Sequence, residues 1–116
     1  MQSTDPSIKI DETATLLKLL GDKTRLRMMA LLYESDCCVC ELVEVFSMSQ
    51  PSISQHLRKL RDKDIVKEEQ RGRWVFYKLN REHSLYPIIE GVIEQLPSEK
   101  QTWKQLENKG LRVDWC

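Results

Sequence analysis

Apolar positions along this chain follow two rhythms, one near 3.6 residues and one near 2. Ile8, Ala14, Leu16, Leu17, Leu19 and Leu20 suit a helix from Ile8 to Leu20, which Gly21 ends. Asp22 caps a second helix, DKTRLRMMALLYE, where Leu26, Met29, Ala30 and Tyr33 recur at helical spacing. Residues 40–46, CELVEVF, read as a short helix with Leu42, Val45 and Phe46 on its buried stripe, and SMSQ reads as a turn. Pro51 then stands in the first turn of QPSISQHLRKLRDK, behind Ser49 as cap. Ile53, Leu57 and Leu60 share one face of that helix.

The period changes in IVKEEQRGRWVFYKL. Two runs flank Arg71-Gly72, the second aromatic and β-branched, which predicts a hairpin with Gly72 at positive φ. A long helix follows from about His83 to Leu96, stopped by Pro97, and then a short helix in SEKQTWKQLENKG, closed by Gly110. The fold class is mainly α with a β-hairpin wing, in the order α-α-α-α-β-β-α-α. A short helix, a tight turn, a second helix and a hairpin make a winged helix-turn-helix. Residues 8–109 form its domain, and 1–7 and 110–116 are read as flexible tails. Leu85, Ile88, Ile89, Val92, Ile93 and Leu96 cover more than one stripe of the long helix. Part of that surface, with the first helix, should meet a second copy, so a homodimer is expected. Its two reading helices would lie about one DNA turn apart, on an inverted-repeat operator.

Composition changes this picture little. The chain has 116 residues, 41% of them apolar and 31% charged, as in a one-domain globular protein. No apolar run approaches a membrane span, and the first residues do not read as a secretory signal, so a cytoplasmic protein without membrane contact is expected. Charge changes it more. The formal net charge is zero, yet residues 50–82 carry 9 basic and 5 acidic side chains, against 5 and 8 in residues 1–49. That local excess suits a polyanion such as double-stranded DNA.

The excess falls on the reading helix and the wing. Gln55 and Lys59 lie opposite the buried stripe, flanked by Ser52 and Arg58. Gln50 and Ser54 complete the candidate contacts on this helix. Short polar and basic side chains can bond base edges and phosphates. His56 lies nearer the core edge, where a half-buried structural histidine and a DNA contact are both open. The hairpin tip adds Arg71 and Arg73, while Trp74, Phe76 and Tyr77 pack the wing. A solvated charged surface is the bland alternative for the helix alone; helix and wing together favour DNA.

Three of the four cysteines, Cys37, Cys38 and Cys40, fall within four residues. A disulfide framework does not fit, because adjacent cysteines form only a strained bridge. Buried small side chains, a redox sensor and a soft-ion site are the readings open to them, and thiolates select soft ions. In a regular helix Cys37 and Cys40 would share a face, while Cys38 and Cys40 would point nearly opposite ways. Joint binding by Cys38 and Cys40 therefore requires non-helical backbone there. Zinc usually takes a second cysteine pair or histidines, and the chain has only His56 and His83. Three thiolates suit As(III) or Sb(III). The third is Cys37, or Cys116 if the tail folds back or crosses to another subunit.

These segments resemble the ArsR/SmtB family of bacterial winged-helix repressors, over about residues 12–96. The marks are LLKLLGDKTRLRMMALL, CCVCELVEVFSMSQPSISQHLRKLRDKDIV and RGRWVFYKLN. CVCEL ahead of SQPSISQHL is similar to the metal box of arsenic-responsive members. The resemblance implies a homodimer that represses a metalloid resistance or efflux operon and leaves DNA when As(III) or Sb(III) binds as inducer. Val43 stands where one arsenic-sensor pattern has a third cysteine, so Cys37 or Cys116 must substitute. The N-terminal cysteines of cadmium and lead sensors are absent, and His83 alone does not match the zinc-sensor pattern. A repressor of the same fold sensing Cd, Pb, Zn or thiol oxidation is the alternative. No Gly-rich phosphate loop, Cys-x₅-Arg or Ser-His-Asp set is present, so neither catalysis nor a catalytic cofactor is expected.

Overall fold

The computed structural model describes residues 6–113. Helix α1 (Pro6–Leu20) starts two residues ahead of the expected start and buries Leu16 and Leu20. Helix α2 (Lys23–Glu34) begins behind Asp22, whose carboxylate accepts the Thr24 and Arg25 backbone N–H groups at 2.9 and 3.0 Å. The bond from Arg25, foremost, holds the Asp22 carboxyl below its ordinary pKa. Met28, Met29, Leu31 and Leu32 are wholly buried, which makes α2 the axis of the core.

The next element was not expected. Cys37 and Cys38 form a two-residue strand, β1 (Cys37–Cys38), ahead of helix α3 (Val39–Phe46). Ser47 closes α3 at φ 53°, and Ser49 caps helix α4 (Gln50–Asp62) with Pro51 in its first turn. Strands β2 (Val66–Arg71) and β3 (Trp74–Leu79) form the hairpin, with Gly72 at φ 60° as the turn requires. The sheet order is β1-β3-β2, antiparallel throughout. Cys37 lies opposite Tyr77 and Cys38 opposite Phe76, so the cysteine segment is hydrogen-bonded to the wing.

Helix α5 (Tyr86–Glu94) is shorter than the expected span of 83–96. His83 sits in the preceding turn, where its Nδ1 accepts the Leu85 N–H at 3.0 Å and its Nε2 donates to the Lys63 carbonyl at 3.1 Å. That pairing assigns the tautomer and holds the ring outside the helix. At the other end, Gln95 and Leu96 turn out through bonds to Val92 and Ile93 ahead of Pro97. Leu85, Tyr86, Ile89 and Ile93 face the core, while Ile88, Val92 and Leu96 are half-buried. Helix α6 (Lys100–Asn108) adds Trp103 and Leu106 to the core. The Trp103 Nε1–H donates to the Leu31 carbonyl at 3.0 Å.

The order is therefore α-α-β-α-α-β-β-α-α, a winged helix-turn-helix whose sheet has three strands. Residues 110–113 of the expected tail are described. Gly110 turns the chain at φ 71°, and Arg112 and Val113 are bonded to the body rather than loose. The reason is a buried acceptor, Glu41, that their donors satisfy.

Candidate functional site

The outward face of α4 is built by one cap and one stripe. Burial of Ile53, Leu57 and Leu60 turns Gln50, Gln55, Arg58 and Lys59 out to solvent. Ser52 and Ser54 are half-buried. The Ser49 hydroxyl accepts the Ser52 backbone N–H at 3.3 Å and donates to its hydroxyl at 2.9 Å, so Ser52 is engaged in the cap. His56 is half-buried, and its Nδ1 accepts from an Arg25 guanidinium nitrogen at 3.1 Å. A guanidinium only donates, so the ring proton lies on Nε2. Arg25 in turn donates to the Leu19 carbonyl at 2.7 Å. His56 thus ties α4 to the α1–α2 corner. Burial, with Arg25 nearby, lowers its pKa.

The two wing arginines separate. Arg71 binds Asp36 at 2.6 Å and Glu69 at 2.9 Å and lies 4.6 Å over the Phe76 ring. It fastens the wing to the β1 approach. Arg73 is exposed, lies 5.6 Å over Trp74 and has no ion pair among the described residues. Of the two, Arg73 is the cation free to meet a phosphate.

The three clustered cysteines also separate. Cys38 precedes α3 in extended backbone, φ −99° and ψ 168°. The non-helical geometry that a Cys38–Cys40 pair requires is therefore already present. Both side chains line one cleft with Gln50 and Ser54 of α4 and Glu68, Trp74, Val75 and Tyr77 of the wing. Burial, and then the adjoining Cys40 thiol, push the Cys38 thiol up to about 12. Cys40 is exposed at the rim. Cys37, next along the strand, is wholly buried in the hydrophobic core, where burial raises its pKa well above the ordinary thiol value. Cys38 is buried as well, at 3% exposure, but it lines the cleft whereas Cys37 joins the core. Cys37, expected as the third ligand, is a core residue in this conformation. No group of three or more His, Cys, Asp or Glu among the described residues is arranged to hold a metal. Cys38 and Cys40 are the two thiols that share a cleft, and Cys116 lies outside the described residues.

Beside the thiols stands a group that sequence reasoning missed. Glu41 is wholly buried, with one oxygen accepting the Cys38 N–H at 2.9 Å. Its other oxygen accepts from Arg112 Nε at 2.5 Å and from the Val113 N–H at 3.0 Å. Arg112 also donates to the Ser35 hydroxyl and the Asp36 carbonyl and lies 4.2 Å over the Trp103 ring. The available signal was a glutamate three residues after a helix cap, the acidic half of a capping box. Arg112, some seventy residues away, gave none.

Residues 22–68 match the family described as bacterial regulatory protein, arsR family. The chain is 41% identical over 108 residues to the arsenic resistance transcriptional regulator ArsR2 of Pseudomonas putida, covering 87% of this chain and 94% of that protein. It is 35% identical over 85 residues to the arsenical resistance operon repressor of Staphylococcus aureus, covering 73% and 77%. Among solved structures, the transcriptional repressor BigR of Xylella fastidiosa matches with a TM-score of 0.72 and 29% identity, over 79% of this chain and 90% of that one.

Proposed function

Because the chain belongs to the bacterial arsR family of regulatory proteins, we propose that it represses a metalloid-resistance operon and is released when Cys38 and Cys40 bind As(III) or Sb(III). It is a winged helix-turn-helix transcriptional repressor and not an enzyme. The observation that carries the sensing part is the shared cleft: two thiols and the start of the reading helix line the same walls.

The DNA contacts follow from exposure and charge. Gln50, Ser54 and Gln55 reach base edges, and Arg58, Lys59 and Arg73 neutralise phosphates. Ser52, His56 and Arg71 act behind them, holding the cap, the α4 tilt and the wing. A homodimer joined through α1 and the half-buried flank of α5 presents two α4 helices to an inverted repeat. Both the repressor and its operator are then cytoplasmic.

Release follows from where the ion would sit. An ion on Cys38 and Cys40 fixes the spacing between the α3 start, the α4 start and β3. DNA selects one spacing of α4 and wing, and the ion selects another. The coupling is reciprocal: the ion weakens DNA binding as much as DNA weakens ion binding.

The test is an operator-binding titration by fluorescence anisotropy, with arsenite, antimonite, cadmium, lead and zinc added in turn to reduced protein. Release by arsenite or antimonite, lost in Cys38→Ser and in Cys40→Ser, is expected. Release by cadmium, lead or zinc alone would transfer the site to a divalent ion. Tight operator binding unmoved by any ion would end the sensing reading and leave the repressor.

A further inference from the structure

Two thiols share an ion well only where the backbone that carries them is held in place. Cys38 and Cys40 straddle a helix start, Cys38 in extended backbone and Cys40 in the first turn of α3. Strand β1 has two residues and α3 has eight, so neither element is long enough to fix that junction unaided. The side chain that fixes it is Glu41, one oxygen of which accepts the Cys38 N–H at 2.9 Å.

Glu41 is wholly buried, so water does not serve its other oxygen. That oxygen is served from the far end of the chain, by Arg112 Nε at 2.5 Å and the Val113 N–H at 3.0 Å. The same guanidinium donates to the Ser35 hydroxyl at 2.9 Å and the Asp36 carbonyl at 3.3 Å, and so ties residues on both sides of β1. It lies 4.2 Å over Trp103, whose indole is bonded to the Leu31 carbonyl of α2. Undocking of Arg112 and Val113 would leave one oxygen of a buried carboxylate without a donor. Glu41 regains a partner only by turning out to water, and that turn takes the acceptor away from the Cys38 N–H. The helix cap and the tail contact therefore form and break together.

We propose that Glu41 and Arg112 are the positioning residues of the thiol pair: the docked segment 110–113 holds Glu41 on the Cys38 N–H and so keeps the Cys38 thiol in the cleft that Cys40 lines. The proposal rests on the reading of Cys38 and Cys40 as the ion-binding pair. Neither positioning residue touches the ion. The docked tail orders the α3 start before the ion arrives, so less binding energy is lost in ordering it afterwards. The linkage is reciprocal: an ion that fixes Cys38 tightens the tail contact.

The test pairs amide hydrogen exchange by NMR on the reduced full chain with an arsenite affinity titration. The Arg112 side chain is 23% exposed, so Arg112→Gln and Arg112→Lys leave the core intact. In Arg112→Gln the Cys38 amide should exchange about tenfold faster relative to the Met28 and Met29 amides of α2, a ratio that a general loss of stability does not move. Arsenite should bind that variant about tenfold more weakly. Arg112→Lys, which keeps a charged donor for Glu41, should lie between it and the wild type on both readouts. Arsenite added to the wild type should slow exchange at the Val113 amide. An unchanged Cys38 ratio in Arg112→Gln would overturn the latch. A raised ratio with arsenite affinity unchanged would overturn the positioning role and leave Arg112 a contact of the fold alone. Failure of the wild type to bind arsenite would overturn the sensing reading and the positioning role with it, a result distinct from unchanged affinity in a variant that binds.

Discussion

A proton taken up by His56 would stand against the Arg25 guanidinium from which its Nδ1 accepts. Burial first, and the nearby Arg25 and Lys59 charges, lower its pKa, while Asp22 opposes them. The unfolded chain therefore binds that proton more readily than the folded one. Above the ordinary value of 6.5 the ring is neutral in both states and adds no slope. As pH falls from 6.5 through the lower folded value, the unfolded state gains protons first and stability is lost. Urea midpoints measured between pH 7.5 and 5 should fall in the wild type, and this component should vanish in His56→Gln, whose amide oxygen can still accept from Arg25. An unchanged slope in His56→Gln would remove His56 from its structural post. Asp22, its carboxyl held below 3.8, contributes only at lower pH, where its protonation releases the α2 cap.

At the scale of the element, the wing has two arginines with different work. Arg71→Ala removes a bond to Asp36 that crosses from β2 to the β1 approach, and one to Glu69 within β2. These pairs are exposed to solvent, so only a small stability loss is expected in denaturant titration. Arg73→Ala should leave that midpoint unchanged and weaken operator binding. It should also lower the slope of log affinity against log salt by about 0.9 for each phosphate that the side chain neutralises. Equal effects of the two variants on the salt slope would contradict this division. The helices and the hairpin were legible because each repeats its own period over enough residues. Strand β1 was not: two residues cannot display a period, and β1 exists through pairing with Tyr77 and Phe76 some forty positions later. The same holds for the thiols. Helical reckoning set Cys37 beside Cys40, whereas in the extended β1 both residues are buried, Cys37 in the core and Cys38 along the cleft that Cys40 also lines. The span of α5 was overdrawn because Leu85 and Leu96 continue its apolar rhythm beyond the point where the backbone leaves the helix.

At the scale of the molecule, α1 carries two large apolar side chains that the single chain leaves in solvent, Ile10 at 66% and Leu17 at 49% exposure. With the half-buried Ile88 and Val92 of α5 they are the residues proposed above to meet a second copy. Sedimentation of Leu17→Glu should shift toward the monomer, and its operator affinity should fall with it while the helical content is kept. A dimer of unchanged strength would move the interface elsewhere.

Trp103 and Trp74 occupy two informative places. The Trp103 indole is hydrogen-bonded to the α2 backbone and lies beneath Arg112, and Trp74 lines the thiol cleft. Of the chain's three tryptophans, Trp115 lies outside the described residues, and the other two place one fluorophore under Arg112 and one beside the sulfur atoms. Undocking of the C-terminus and filling of the cleft become two separable optical signals, each assigned by a single Trp→Phe replacement, with no dye attached.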